Sequence, residues 1–276
     1  MLPIGLNHMT VPRLSARDML DMAATLGCAG VELRNDLGSP LFDGEDAAAF
    51  GNTAKQAGLR IFALAEVKAF NANPKDNRET ATALIKTAAT CGAEGVALIP
   101  LVSETSIPRT DQRDALRAAL DVLMPVLMDH QMVGLIEPLG FVQSSLRHKD
   151  DVVAVLDAMG RPDCFALIHD TFHHHLAGDT TIYPDLTALV HISGVTDPQP
   201  SIDQMTDAHR VLVDRNDRLG NIAQLRSFQA AGFTGPASFE AFAPEIHDMT
   251  DPTADLAGSI AFITSQLAEN TAAALG

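Results

Sequence analysis

The feature that most constrains this chain is a repeat. A short apolar run rich in Val, Ile, Leu and Phe is followed by a longer stretch of helical periodicity, about eight times over. The runs fall at 4–9 (IGLNHM), 29–34 (AGVELR), 59–67 (LRIFALAEV), 95–101 (GVALIPL), 133–139 (VGLIEPL), 164–170 (CFALIHD), 189–195 (LVHISGV) and 237–242 (ASFEAF). Helices are expected at 15–27, 44–58, 78–92, 112–130, 149–160, 221–233 and 252–270. Several of them end at a glycine just before the next run, as in TLGCAGVELR, and glycine tolerates the left-handed conformation that stops a helix. Strands that stay apolar along their whole length suit a parallel sheet covered on both faces. Eight such units in 276 residues therefore predict a single-domain α/β fold, a (β/α)8 TIM barrel over 1–276. An open doubly wound sheet usually carries fewer strands.

The content of 46% hydrophobic residues is enough to fill such a core. A net charge of −16 repels phosphate backbones and anionic headgroups, so neither nucleic acid nor a membrane surface is an expected partner. The start, MLPIGLNHMTVPR, lacks the basic and apolar regions of a signal peptide, and no window approaches the roughly 18 apolar residues of a membrane span. A cytoplasmic location is expected. Cys28, Cys91 and Cys164 are odd in number and scattered, which suits neither a disulfide framework nor a thiolate cluster.

Polar groups at the carboxyl ends of the last four runs point to chemistry. The fifth run carries Glu137, the sixth ends in Asp170, the seventh contains His191 and the eighth carries Glu240. A carboxylate in an apolar strand costs several kcal/mol in desolvation unless a cation or donors compensate it, and three of them together repel one another. One divalent ion answers both problems. Three carboxylates and an imidazole suit Mn²⁺, Mg²⁺, Co²⁺ or Zn²⁺.

The stretch HDTFHHHLAG, 169–178, concentrates further candidates. In an extended run His169 points away from the side that Asp170 faces. Past Asp170 the chain turns, and spacing of three residues favours His173 as the histidine that reaches the site, in a substrate-binding role. His174 and His175 read as solvated loop residues. The segment HHHLAGDTTIYP reads as a weak helix, and a long polar insert occupies 196–220.

LIEPLG, LIHDTFHH, VHISGV and SFEAF, in that order, resemble the xylose-isomerase-like TIM barrels of the sugar phosphate isomerase/epimerase family, and among them the inosose (2-keto-myo-inositol) isomerases. The resemblance covers essentially the whole chain. It implies one divalent metal ion (Mn, Co, Zn or Mg) held by Glu137, Asp170, His191 and Glu240. Glu137 and Glu240 would also carry protons in an isomerisation through a cis-enediolate, with His173, in the family's D-x-x-H element, on a substrate oxygen. Many relatives have a His-x-His pair where this chain has Leu189 and His191. Relatives also bring an arginine from the loop after strand seven to the substrate, and of Arg210, Arg215 and Arg218 the reading selects Arg215.

Asn7, His8, Glu32 and Glu66 are further polar groups in the first three runs, of which His8 and Glu66 are taken as pocket residues. No Gly-rich phosphate cradle is present, so an unphosphorylated keto-polyol or ketose is the expected small-molecule partner. A homo-oligomer is compatible with the reading. Hydroxypyruvate isomerase and ketose 3-epimerase are alternatives with the same machinery. A multi-zinc endonuclease of abasic DNA shares the barrel, but the acidic charge and the absence of tryptophan argue against it. A non-catalytic sugar-binding barrel is the remaining alternative.

Overall fold

In the computed structural model, which describes residues 2–104 and 108–273, eight parallel strands close into one barrel in sequence order. They are β1 (Ile4–Asn7), β2 (Gly30–Arg34), β3 (Arg60–Lys68), β4 (Gly95–Ile99), β5 (Val133–Ile136), β6 (Phe165–Asp170), β7 (Thr187–Ile192) and β8 (Ala237–Phe239). Closure is made by β1 pairing with β8, Leu6 opposite Phe239. Each of the eight apolar runs supplies one strand. Most strands stop short of the end of their run, so Glu137 and Glu240 lie just past β5 and β8, where the chain turns out of the sheet.

The helices are α1 (Ala16–Thr25), α2 (Ala47–Gln56), α3 (Pro74–Cys91), α4 (Arg109–Asp129), α5 (Lys149–Ala158), α6 (Thr171–Ala177), α7 (Asn221–Ala230), α8 (Pro244–His247) and α9 (Pro252–Ala273). Short polar side chains start several of them. Ser15 accepts from the Asp18 amide and Asp46 from the Ala49 amide, each satisfying a donor the first helical turn leaves free. The expectation of a weak helix after β6 understates α6, which forms for the same reason: Asp170 accepts from the His173 amide, and Gly178, at φ 69°, ends the helix.

Apolar residues between strands and helices form the main core, Leu6, Val31, Phe50 and Ile85 among them, and a smaller cluster of Phe62, Leu135, Ile168 and Leu189 fills the barrel interior. Cys28 and Cys91 are buried and unbridged, as small apolar residues. Among the described residues no helix is long and apolar enough to cross a membrane.

Candidate metal centre

The four strand-end groups meet. Glu137, Asp170, His191 and Glu240 are all buried, and each offers a ligand atom within 4.8 Å of every other. His191 Nδ1 lies 3.1 Å from Glu137 Oε1, 3.2 Å from Glu240 Oε2 and 4.0 Å from Asp170 Oδ2. Donors around a tetrahedral ion at about 2.1 Å stand about 3.4 Å apart, so this spacing fits a single small divalent cation.

Two arginines share the carboxylates. Arg210 Nη2 donates to Asp170 Oδ2 at 2.5 Å and to Glu240 Oε2 at 2.9 Å, while Arg34 Nη1 donates to Glu240 Oε1 at 2.9 Å. Asn7 Nδ2 also reaches Glu240 Oε1, at 3.3 Å. Below the cluster Glu32, fully buried, accepts from His191 Nε2 at 3.0 Å. Four buried carboxylates thus stand against two guanidiniums, which also pair with Asp36 and Asp207, and a divalent ion on a neutral His191 would offset the excess negative charge. The donor set therefore fits a divalent metal ion both in spacing and in charge.

The carboxylates are electrostatically unlike. Burial, reinforced by Glu240 and Asp170 and opposed by His191, pushes the Glu137 carboxyl up to about 7. Burial works in the same direction on Glu240, but His191, Arg210 and Arg34 outweigh it and hold that carboxyl below the usual range. Burial alone would lower His191, yet Glu240, Glu32 and Glu137 raise it well above an ordinary imidazole.

A cleft of ≈ 320 Å³ opens over the centre. Glu137, His173, Arg210 and Glu240 line it together with Arg34, Glu66 and the apolar Leu101, Leu139 and Phe141. His173 packs edge-on against Phe141 and Phe172, and its buried Nδ1 has no hydrogen-bond partner among the described residues. Glu66 is clamped by Asn35, which accepts from its amide at 2.9 Å and donates to its carbonyl at 3.2 Å. Burial, ahead of opposing Arg34, raises its carboxyl.

Three expectations are corrected. His8 is not among the residues lining the cleft: the chain enters a 3₁₀ turn after β1, and His8 Nε2 donates to the Leu14 carbonyl at 2.9 Å. Arg215 is exposed and is not among the residues lining the cleft, whereas Arg210 is buried and lines it. The backbone of Arg210 is pinned by the Phe242 and Ala243 amides, and its neighbour Val211 pairs with Gly194, which drives the Arg210 side chain inward over the Phe242 ring at 4.4 Å. His174 is buried rather than solvated. It accepts from Lys149 Nζ at 3.0 Å and its ring packs at a tilt of 42° against His169, which bonds Gln224.

Arg34 was not anticipated at all. It ends the run AGVELR, and the rule that marked strand-end carboxylates would have found it had cations been included.

Over residues 20–266 the chain matches the family described as xylose isomerase-like TIM barrel. No curated protein matches it in sequence. Among solved structures, a xylose isomerase domain containing protein from Salmonella typhimurium LT2 superposes with a TM-score of 0.85 at 28% identity, over 96% of each chain. The IolI protein, solved with a zinc atom bound, gives 0.84 at 18% identity over 97% of this chain and 99% of its own. An L-ribulose 3-epimerase gives 0.74, also at 18%, over 99% and 97%. At 18% identity the likeness speaks for the fold alone.

Proposed function

We propose, since the chain belongs to the xylose isomerase-like TIM barrel family, that it is a divalent-metal-dependent isomerase or epimerase of an unphosphorylated keto-polyol, an inosose such as 2-keto-myo-inositol before other substrates. The observation that carries this reading is the pair Glu137 and Glu240. Both border the same ligand space, with oxygens 3.1 and 3.2 Å from His191 Nδ1, in the lining of the cleft.

Isomerising a hydroxy-ketone moves a proton between two neighbouring carbons. A divalent ion held by Glu137, Asp170, His191 and Glu240 would supply the electrophile that draws charge onto the carbonyl oxygen as the proton leaves. The chain's own groups do the rest. Glu137 and Glu240, whose oxygens border the same ligand space, are the two carboxylates placed to take the proton from one carbon and return it to the next. Which acts first follows from the configuration of the substrate. His173 and Arg210 border the cleft where substrate oxygens would sit, beside the apolar side chains of Leu101, Leu139 and Phe141. Each guanidinium in the lining is already paired with carboxylates, which disfavours a phosphate there and favours a neutral polyol.

A ketose 3-epimerase is the second reading. An L-ribulose 3-epimerase shares this fold, and 3-epimerisation would use the same proton carriers; hydroxypyruvate isomerisation would use them as well. The test is deuterium exchange in D2O, with protein loaded with Mn²⁺ or Co²⁺ and offered keto-inositols and ketoses. Deuterium is expected at the carbon beside the carbonyl, with Glu137→Gln and Glu240→Gln each slowing exchange by about 10²–10⁴. A loaded wild-type protein that binds a ketone and exchanges nothing is a sugar-binding barrel, and the enzymatic reading is then wrong.

A further inference from the structure

We propose that Glu32 is a positioning residue of the metal centre. It holds the His191 ring in the orientation and the tautomer that present Nδ1 to the space shared by Glu137, Asp170 and Glu240. The proposal rests on the metal-centre reading above.

Glu32 and Arg34 lie two apart on β2 and so face the same side of the sheet, Glu32 deeper and Arg34 at the rim. Arg34 reaches Glu240 directly. Glu32 is completely buried and reaches only as far as the back of the His191 ring, where Oε2 lies 3.0 Å from Nε2. An imidazole that ligates through one nitrogen carries its single proton on the other. With Nδ1 turned to the three carboxylates, that proton sits on Nε2, and the acceptor placed before it is Glu32.

The other oxygen tells against a scaffolding role. Glu32 Oε1 is buried with no hydrogen-bond partner among the described residues. A carboxylate kept to satisfy backbone or side-chain donors is normally engaged at both oxygens, and one buried at heavy desolvation cost for a single contact is there for that contact. Carboxylates behind a ligating histidine fix its tautomer and raise its basicity as a ligand.

The experiment measures Co²⁺ and Zn²⁺ affinity by chelator competition, with the Co²⁺ visible spectrum, for the wild type, Glu32→Ala and Glu32→Gln. Glu32→Ala is expected to weaken both metals by roughly 10–100-fold and to alter the Co²⁺ bands. Glu32→Gln, whose amide oxygen still accepts from Nε2, is expected to recover most of the affinity and the wild-type spectrum. Because the alanine variant could fail to fold, nitrogen-15 NMR of the wild type loaded with Zn²⁺ adds an independent reading, with the His191 proton expected on Nε2. A proton on Nδ1 overturns the proposal. So does an alanine variant that binds within twofold of wild type, or a glutamine variant as weak as alanine. A wild-type protein that takes up neither metal overturns the metal centre itself, and the role of Glu32 with it.

Discussion

Arg34 donates from Nη1 to Oε1 of Glu240 at 2.9 Å, although 206 residues separate the two in the chain. Both are almost fully buried, Arg34 with 6% of its side chain exposed and Glu240 with 3%. Removing one member of a buried pair costs about 3–5 kcal/mol when the other is left unpaired, and here Arg210 and Asn7 still reach Glu240, which sets the cost at the lower end. Arg34→Met is therefore expected to destabilise the protein by about 3 kcal/mol in urea unfolding with a chelator present. The loss should be smaller in saturating Mn²⁺, because the ion then compensates Glu240. An equal loss in both conditions would mean that the ion does not reach Glu240.

Arg210 and Arg215 separate a site role from a surface one. Arg210 is buried and joins Asp170 to Glu240, whereas Arg215 is exposed. Arg210→Ala should lower kcat/KM by roughly a hundredfold, about 2.7 kcal/mol in the transition state. Arg215→Ala should leave kcat/KM within about twofold and stability within about 0.5 kcal/mol. Parallel steady-state kinetics and thermal unfolding of the two variants check this.

Gly140 lies in the turn after β5, packed against α6. A Cβ at this position would collide with the His173 carbonyl oxygen and press on Leu176 Cβ. Overpacking of this kind costs about 1–3 kcal/mol, and here the element that must give way carries His173. Gly140→Ala is expected to raise KM more than it lowers kcat, with a lower melting temperature. An unchanged KM would place His173 outside substrate binding.

Protons and metal compete at the centre. His191 is raised well above its ordinary value, chiefly by Glu240 and Glu32 against the opposing effect of burial, and burial raises Glu137 to about 7. Both groups must be free of protons to ligate, so metal uptake should release protons, and Co²⁺ affinity should fall as pH drops from 8 to 6. Calorimetry in buffers of different ionisation enthalpy counts the protons. Uptake with no proton release over this range would contradict the ligand assignment.

Lys149 behaves in the opposite sense. Burial lowers its ammonium to about 8 against the raising effect of Asp179, while an unfolded lysine titrates near the ordinary 10.5. Between these limits the unfolded chain binds the extra proton, so Lys149 costs stability below about pH 8, and the cost is relieved as pH rises toward 10.5. The stability of the wild type relative to Lys149→Met should therefore improve between pH 8 and 10, by at most about 1.4 kcal/mol per unit. His174, lowered to about 4 chiefly by burial and then by Lys149, adds an acid limb. Stability should fall as pH drops from about 6.5 toward 4, less steeply in His174→Gln. Flat profiles would place both groups in solvent.

The repeat of apolar run and helical stretch determined the barrel, because strand and helix periodicities are local and each unit carries its own signal. The same local rule exposed Glu137, Asp170, His191 and Glu240, since a polar group at the end of an apolar strand is costly unless it is used. The tertiary structure alone decided the partners of that set. Arg34, Arg210 and Glu32 reach it from strands and loops far away in sequence, and their choice depends on where the backbone is pinned: Arg210 by Phe242, Ala243 and the pairing of Val211 with Gly194, His8 by the turn that ends at Leu14. Within the polar insert 196–220 three arginines look alike as letters. Long-range hydrogen bonds, which leave no period in the sequence, determine which one turns inward.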